Sequence, residues 1–327
     1  MKILIIGGTR FIGRHLVPEL MEAGHQLTLL NRGSSPIDES ETRLTQLIGD
    51  RNDLSSLKAK LADEKFDAII DMILYNGEQA KDAVQACLGN TKHYIMLSTR
   101  SVYASNVGSP ILENDALETR PEVSYGFLKA EAENVLIEAH KTKGFPATIL
   151  RLPAIYGEYD YQIRERYFIR RLLEKRPHIL LPDGGAGVNQ REYAGNIAAQ
   201  VAFLLTKPES IGEVYNAGHG KVQNYRALVE DAMMIMQQPM QIYSIPAPLH
   251  PAIPDLAWAV VNIQSVAKLE ALGWQEKYSP YVSMQRTIEW QRTRPLDEYL
   301  PTHRNQRQHF DYIREDALIA ALGVKLV

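Results

Sequence analysis

A tyrosine and a lysine four residues apart, Tyr125 and Lys129, are the first side chains in this sequence that could carry chemistry. They open a stretch in which apolar residues recur at helical spacing as far as Ala139. Residues four apart share one face of a helix, so the lysine is predicted beside the tyrosine. The pKa of a free tyrosine is near 10. A neighbouring ammonium stabilises the ionised form and so lowers this pKa, and a reduction of about three units takes roughly 4 kcal/mol. Tyr125 could then exchange a proton with a substrate hydroxyl or carbonyl.

The N-terminal residues predict a strand, a glycine turn and a helix. Ile3 to Ile6 indicate a buried strand, Phe11 to Ala23 a helix, and Gln26 to Leu30 a second strand, which completes a βαβ unit. Gly7 permits the tight turn, and Gly13 lets the helix pack closely on the strand. The helix N-terminus offers N–H groups to a pyrophosphate, so the segment predicts a dinucleotide site; a tight turn without a ligand is the alternative.

Strands and helices continue to alternate along the first half of the chain. The predicted strands are 44–48, 67–71 and 94–97, and the predicted helices are 54–61, 78–88 and the stretch that follows Tyr125. This alternation predicts an α/β fold with a Rossmann-like, doubly wound parallel sheet. Ligands bind at the carboxyl ends of such strands, where Met72 and Tyr75 follow the fourth strand. We expect Met72 to contact the cofactor and Tyr75 the substrate.

The end of the second strand carries no acidic residue. In NAD-binding folds an acid there takes the ribose hydroxyls, whereas this chain has Asn31 and Arg32, with Arg10 in the glycine turn. Two guanidinium groups suit a ribose 2′-phosphate, because charge-assisted, fork-shaped contacts are strong. These residues therefore predict NADP as the cofactor, with NAD as the alternative. A solvated turn residue is the alternative role for Arg32.

Composition limits the class of protein. Apolar residues make up 45% and charged residues 23% of the 327 residues, which is typical of a soluble globular protein, and the formal net charge is −3. No global basic field favours nucleic acid, and no apolar run is long enough to span a bilayer, so we expect a cytoplasmic protein without a membrane partner. The single cysteine, Cys87, excludes an intrachain disulfide, and no spacing of residues predicts a metal site.

Several motifs together resemble one known family. Gly7-Gly-Thr-Arg-Phe-Ile-Gly13 resembles the Gly-x-x-Gly-x-x-Gly fingerprint of the extended short-chain dehydrogenase/reductase superfamily, in its NAD-dependent epimerase/dehydratase group. Arg10 stands where the middle glycine usually lies, a form that resembles the sub-branch of chloroplast stem-loop RNA-binding proteins and bacterial reductase-like proteins. The likeness extends through Leu272-Gly-Trp274 and Thr287-Ile-Glu-Trp290 and covers roughly residues 1–292.

The resemblance implies roles for individual residues. Ser98-Thr-Arg-Ser-Val-Tyr103 resembles the family's Ser-Ser-x-x-Val-Tyr segment, which places Thr99 at the catalytic Ser/Thr position, hydrogen-bonded to the same substrate oxygen as Tyr125. Asp50 matches an aspartate that contacts adenine, and Arg191 matches an arginine that touches a diphosphate in sugar-nucleotide enzymes, with a structural role as the alternative. The implied cofactor-binding residues are Gly7, Thr9, Arg10, Phe11, Ile12, Gly13, Asn31, Arg32, Asp50, Arg51, Met72, Ser98, Lys129 and Pro153.

The resemblance also divides the chain into lobes. Residues 1–155 are expected to form the dinucleotide-binding domain and 156–327 mainly a substrate-binding lobe, with about 189–218 returning to the first domain and the active site between the two. Residues 294–327 form a tail outside the resemblance. A helix over residues 311–322 is expected to pack on the body or on a partner subunit, and a homodimer is left open.

These motifs predict an NAD(P)-dependent oxidoreductase that transfers hydride at a hydroxyl or carbonyl carbon through a proton relay of Tyr125, Lys129 and Thr99. The resemblance implies a small-molecule substrate, with nucleotide sugars among the candidates, and leaves carbonyl reduction and epimerisation or dehydration both open. It also implies that Lys129 hydrogen-bonds the nicotinamide ribose. The alternative is an RNA-binding or regulatory protein on a dehydrogenase scaffold, although a pure binding module has no need of an intact Tyr–Lys pair.

Overall fold

The computed structural model describes residues 1–33, 43–61, 64–162, 164–249, 261–294 and 310–322. The chain divides into two compact units. Unit 1 comprises Met1–Pro153, Ala194–Gly220 and Gln264–Lys277, and unit 2 comprises Ala154–Tyr193, Lys221–Ile263 and Tyr278–Val327. Of the tail expected from the sequence, residues 295–309 and 323–327 lie outside the described residues.

The described residues form eleven strands and ten α-helices. In chain order the strands are β1 (Lys2–Ile6), β2 (Gln26–Asn31), β3 (Leu44–Ile48), β4 (Ala68–Asp71), β5 (Tyr94–Thr99), β6 (Ala147–Leu152), β7 (Ala154–Tyr156), β8 (His178–Pro182), β9 (Arg191–Tyr193), β10 (Val214–Asn216) and β11 (Gln241–Ile245). The α-helices are α1 (Ile12–Glu22), α2 (Leu54–Leu61), α3 (Gly77–Cys87), α4 (Ser124–Lys143), α5 (Arg166–Leu173), α6 (Ala194–Leu205), α7 (Tyr225–Met236), α8 (Ala267–Ala271), α9 (Pro280–Arg292) and α10 (Tyr312–Leu322).

Unit 1 is built on a seven-stranded sheet in the order β10-β6-β5-β4-β1-β2-β3, and every pair in it is parallel. The predicted doubly wound parallel sheet is therefore confirmed. Ile3 to Ile6 of β1 are fully buried, as expected for a central strand covered on both faces. Ile6 pairs with Leu30 on one side and with Asp71 on the other, so the carboxyl ends of these strands meet at one edge.

The turn after β1 depends on glycine. Gly7 and Gly8 have φ values of +99° and +88°, which residues with a Cβ rarely adopt. A Cβ on Gly13 would lie 2.2 Å from the carbonyl oxygen of Gly8, so only glycine lets α1 begin so close to the turn. Leu16 and Leu20 then bury one face of α1. The predicted strand, glycine turn and helix are confirmed.

The N-terminus of α4 lies against a short 3-10 turn, Arg100–Val102, that follows β5. A Cβ on Gly126 would lie 2.0 Å from the carbonyl oxygen of Ser101, so α4 can approach this turn only with glycine at that position. This close approach brings the first turn of α4, which carries Tyr125, to the carboxyl end of β5. The helix ends at Gly144 in a left-handed conformation with φ of 66°.

A hydrophobic cluster of unit 1 packs α2, α3 and α4 against the sheet. Its members include Leu57, Leu61, Ala83, Leu136 and Phe145, together with Cys87. Burial raises the pKa of the Cys87 thiol to about 12, so this side chain is a packing residue. Among the described residues, no helix combines the length and apolar character that crossing a membrane requires.

Unit 2 contains two parallel pairs of strands, β8 with β11 and β7 with β9. Its core packs α5, α7 and α9 together through apolar residues that include Phe168, Ile169, Leu172, Val229, Met284 and Ile288. Helix α10 lies within residues 311–322, where the sequence predicts a tail helix. It packs on this unit through a buried ion pair in which Arg171 Nη2 lies 3.1 Å from Glu315 Oε2.

Candidate active site

The carboxyl edge of the unit 1 sheet brings most of the predicted site residues together. The glycine turn after β1, Asn31 at the end of β2 and Thr99 at the end of β5 lie at this edge, because the strands are parallel and in register. Helix α4 adds Tyr125 and Lys129 from its first two turns, which confirms that both lie on one helix at the predicted spacing. Arg191 belongs to unit 2.

Lys129 is buried, with 5% of its surface exposed. Its Nζ donates to the main-chain carbonyl oxygens of Leu74 at 2.7 Å and Leu97 at 2.8 Å, at the ends of β4 and β5. An ammonium has three N–H groups, so these two carbonyls leave one for a ligand. Burial lowers the pKa of Lys129 to about 8, while the carboxylates of Asp71 and Glu133 act in the opposite direction.

Two exposed tyrosine rings meet at this edge. Tyr125 is 44% exposed, and its ring centroid lies 5.7 Å from that of Tyr75 with an angle of 47° between the planes. The main-chain N–H of Tyr75 donates to Gln79 Oε1 at 2.7 Å, which ties the loop after β4 to the start of α3. The pair offers an aromatic surface on which a flat or sugar-like ring could pack.

The two hydroxyl residues at the end of β5 have different partners. Thr99 is partly exposed, and its Oγ1 accepts from the main-chain N–H of Ser101 at 3.2 Å and donates to Ser101 Oγ at 3.3 Å. Ser98 is buried and its hydroxyl donates to Glu133 Oε1 in the interior. Of this predicted pair, Thr99 therefore keeps its hydroxyl nearer the surface, whereas the Ser98 hydroxyl is engaged by a carboxylate.

The residues around the glycine turn suit an anionic ligand. Arg10 and Arg32 are exposed. Asn31 occupies the end of β2, where its Oδ1 accepts from the main-chain N–H of Gly33 at 2.8 Å and from Gln46 Nε2 at 2.7 Å. The edge thus offers two guanidinium groups and the N-terminus of α1, with no carboxylate at the end of β2. The other predicted residues of the turn, which are partly buried, are Thr9, Phe11 and Ile12.

Asp50 and Arg51 follow β3 and lie in different environments. Asp50 is exposed, and its Oδ1 accepts from the main-chain N–H of Asn52 at 2.9 Å. Arg51 is 4% exposed, and its Nη2 lies 2.6 Å from Asp71 Oδ2 in a buried ion pair. The Arg51 Nε and Nη1 atoms are buried without a hydrogen-bond partner. The predicted cofactor residues Met72 and Pro153 lie just after β4 and β6, partly buried and buried respectively.

Sequence reasoning missed two buried carboxylates behind this edge. Asp71 and Glu133 are both fully buried and each forms an ion pair, Asp71 with Arg51 and Glu133 with Arg151. A signal for Glu133 was present, because it stands four residues after Lys129 and so shares its helix face. Asp71 closes an apolar strand, and its partner follows a different strand, so pairing them requires the fold.

In unit 2, Arg191 is buried rather than open to solvent. Its Nη1 donates to Glu165 Oε1, which is also buried, and its guanidinium lies 4.4 Å from the centroid of the Tyr225 ring. A buried arginine neutralised by a carboxylate and stacked on an aromatic ring can organise its lobe without any ligand. This geometry fits the structural alternative that the sequence left open for Arg191.

Comparisons with known proteins give consistent matches. The sequence profile of the NAD dependent epimerase/dehydratase family matches residues 3–86 and 76–218. The chloroplast stem-loop binding protein of 41 kDa b of Arabidopsis thaliana is 32% identical over 243 residues, which are 70% of this chain and 61% of that protein. The 2′-dehydrokanamycin reductase of Streptomyces kanamyceticus is 25% identical over 284 residues, 85% of this chain and 76% of the reductase.

Solved structures share the fold. The UDP-glucose 4-epimerase of Thermotoga maritima, solved with UDP-glucose, superposes with a TM-score of 0.73 at 21% identity, covering 90% of this chain and 99% of that one. The dTDP-glucose 4,6-dehydratase of Bacillus anthracis, solved in complex with NAD, gives a TM-score of 0.73 at 17% identity and covers 91% and 98% of the two chains.

Proposed function

The chain belongs to the NAD dependent epimerase/dehydratase family, and from this premise we propose that it transfers hydride between a nicotinamide cofactor and a hydroxyl or carbonyl carbon of its substrate. The observation that carries the proposal is the placement of Lys129. Its buried ammonium lies one helical turn beyond the exposed Tyr125 and has one more N–H than its two carbonyl acceptors use. An ammonium held in this way, one turn beyond a tyrosine on the same helix, suits a proton relay.

Each residue of the relay has a distinct role. When bound, the nicotinamide cofactor supplies or accepts the hydride. Tyr125 gives its hydroxyl proton to the substrate oxygen when the carbon is reduced and takes that proton back when the carbon is oxidised. The charge of Lys129 would favour ionised Tyr125, and its third N–H would donate to a ribose hydroxyl of the cofactor. Thr99 would turn its hydroxyl proton from Ser101 Oγ to the same substrate oxygen.

The cradle for the cofactor is the glycine turn. A side chain at Gly7 would force a strained φ, and one at Gly13 would strike the Gly8 carbonyl, so the turn is kept open for a pyrophosphate at the N-terminus of α1. Arg10 and Arg32 favour NADP over NAD, because the end of β2 has two exposed guanidinium groups nearby and Asn31 in place of an acid.

The proposed substrate is a sugar, and a nucleotide sugar is the first candidate. Solved structures of the same fold include an epimerase with UDP-glucose, whereas one curated relative is named a reductase of 2′-dehydrokanamycin. Tyr75 is the proposed substrate contact in unit 1. Arg191 is the proposed contact for a diphosphate, which would have to replace Glu165 as the partner of its guanidinium.

A second candidate function is RNA binding, and the 32% identity to a chloroplast stem-loop binding protein is the observation that favours it. A net charge of −3 and the intact Tyr125–Lys129 pair weigh against it. RNA binding that weakens steeply with salt, unaffected by Lys129→Met, would support this alternative.

The proposed function is tested by binding and turnover together. Purified protein should bind NADPH saturably, with quenching of protein fluorescence as the readout. It should then oxidise bound NADPH in the presence of a keto-sugar acceptor, and the Tyr125→Phe variant should bind NADPH but leave it unoxidised. Failure of the wild-type protein to bind either NADPH or NADH would refute the proposal.

A further inference from the structure

The loop that offers one acceptor to Lys129 is fixed by Asp71. Asp71 ends β4, and its Oδ1 accepts from the main-chain N–H of Ile73 at 3.0 Å. Its Oδ2 accepts from Arg51 Nη2 at 2.6 Å and from the Tyr94 hydroxyl at 2.8 Å. This turn positions the next residue, Leu74, so that its carbonyl oxygen accepts from Lys129 Nζ. A fully buried carboxylate with three donors thus fixes one side of the ammonium site.

The other acceptor is fixed by a second buried carboxylate. Glu133 lies one helical turn beyond Lys129 on α4 and accepts from Arg151 through Nε at 3.0 Å and Nη2 at 2.6 Å. Its Oε1 also accepts from the Ser98 hydroxyl. Ser98 directly follows Leu97, whose carbonyl oxygen is the second acceptor of the ammonium. Each of the two acceptors is therefore next to a residue that a buried carboxylate holds.

We propose that the ion pairs Arg51–Asp71 and Arg151–Glu133 are positioning residues for Lys129, which hold its two carbonyl acceptors so that its third N–H is directed to the cofactor. This inference rests on the proposed function for the identity of that ligand, but the positioning itself is a property of the protein without ligand. Because each carboxylate is paired with an arginine, each of the two ion pairs has no net charge.

The charged groups around Lys129 predict the direction in which each substitution should move the pKa of Lys129. The carboxylates of Asp71, which ends β4, and Glu133, which shares α4, raise the pKa of the ammonium, and Arg51, which follows β3, lowers it, while burial has the largest effect. Tyr125 stands one turn earlier on the same helix. Removing a carboxylate should therefore favour the neutral amine, and removing the arginine should favour the ammonium.

The test is an NMR titration of lysine labelled with ¹³C at Cε, in which the Lys129 resonance is assigned by its loss in Lys129→Met. In the protein without ligand, Asp71→Asn should lower the titration midpoint of Lys129 by about 0.5–1 pH unit, and Arg51→Met should raise it by a similar amount. Glu133→Gln should lower the midpoint as Asp71→Asn does, and Arg51→Gln replaces Arg51→Met if that variant fails to fold. Opposite shifts from two halves of one ion pair are not expected from a merely structural role.

A matched control is the buried ion pair of Arg171 and Glu315 in unit 2. Glu315→Gln should lower the unfolding midpoint and leave the Lys129 titration within 0.2 pH unit of the wild type. A midpoint within about 0.2 unit of the wild type in both Asp71→Asn and Glu133→Gln would overturn the positioning role, even if NADPH binds. Conversely, the predicted shifts in a protein that binds no dinucleotide would uphold the positioning role and refute the proposed function.

Discussion

Gly126 faces the carbonyl oxygen of Ser101 so closely that a Cβ placed on the glycine would lie 2.0 Å from that oxygen. The contact joins the first turn of α4 to the 3-10 turn after β5. It thereby sets the distance between the part of the chain that carries Tyr125 and the part that carries Thr99. The proposed relay would depend on this backbone approach as much as on the side chains themselves.

The first prediction concerns that approach. Gly126→Ala should displace the start of α4, because the main-chain oxygen of Ser101 cannot move away as the end of a flexible side chain could. Hydride transfer should fall by at least tenfold, since a misplacement of about 1 Å can cost a hundredfold. Gly108→Ala is the matched control, because a Cβ there meets nothing within 4 Å. Equal activities of the two alanine variants would contradict the prediction.

The second prediction concerns the proton donor. Tyr125→Phe should reduce hydride transfer by about two to four orders of magnitude, the usual contribution of a general acid or base. Binding of NADPH should change little, because the hydroxyl acts on the substrate. Tyr281→Phe, which removes a hydroxyl from another exposed tyrosine, on α9, is the control. Activity of Tyr125→Phe within threefold of the wild type would mean that the proton comes from another group.

The third prediction concerns the choice of cofactor. Arg10→Ala and Arg32→Ala should each weaken NADPH binding by about 1.5–3 kcal/mol, the range for a hydrogen bond to a charged group, and should affect NADH much less. Titration of each variant with both dinucleotides measures the difference. Arg292→Ala, which removes an exposed arginine from α9, controls for net charge. A wild-type protein that binds NADH as tightly as NADPH would remove the basis for this preference.

The fourth prediction is a pH dependence of cofactor binding. The pKa of Lys129 is lowered to about 8 by burial, so the ammonium that has a spare N–H is present below that pH and is lost above it. Affinity for NADPH should be full near pH 7 and should fall by up to about tenfold per unit as the pH rises through 8. Fluorescence titrations between about pH 7 and pH 9.5 measure the slope, and Lys129→Met should flatten it. An affinity that rises with pH over this range would show that another group controls binding.

Much of the fold could be predicted because its signals are local. The glycine turn, the alternation of strands and helices, and the spacing of Tyr125 and Lys129 all depend on neighbours within a few residues, and the parallel sheet confirms them. The ion pair of Arg51 and Asp71 joins the ends of two strands, so it becomes visible only when those strands are placed in the sheet. The family resemblance implies that Arg51 contacts the cofactor, and its buried pairing with Asp71 could be seen only in the structure.

The substrate lobe was harder to predict for the same reason. Arg191 matches an arginine of a known motif, but its burial is set by Glu165 and Tyr225, which are 26 and 34 residues away in the sequence. A sequence motif supplies the residue type, whereas the partners that neutralise its charge come from other elements. The tail helix was predictable from its local pattern, but its anchor, the ion pair of Arg171 with Glu315, was not.

Lys129 is proposed to hold a nicotinamide cofactor beside Tyr125, and a titration with NADPH measures this contact. NADPH is added to the wild-type protein and to Lys129→Met, which keeps the apolar stem and removes the charge. We expect saturable binding by the wild type and a loss of about 1–3 kcal/mol of binding free energy in the variant, for one missing buried contact. Affinities that agree within twofold, or no saturable binding by the wild type, would contradict it.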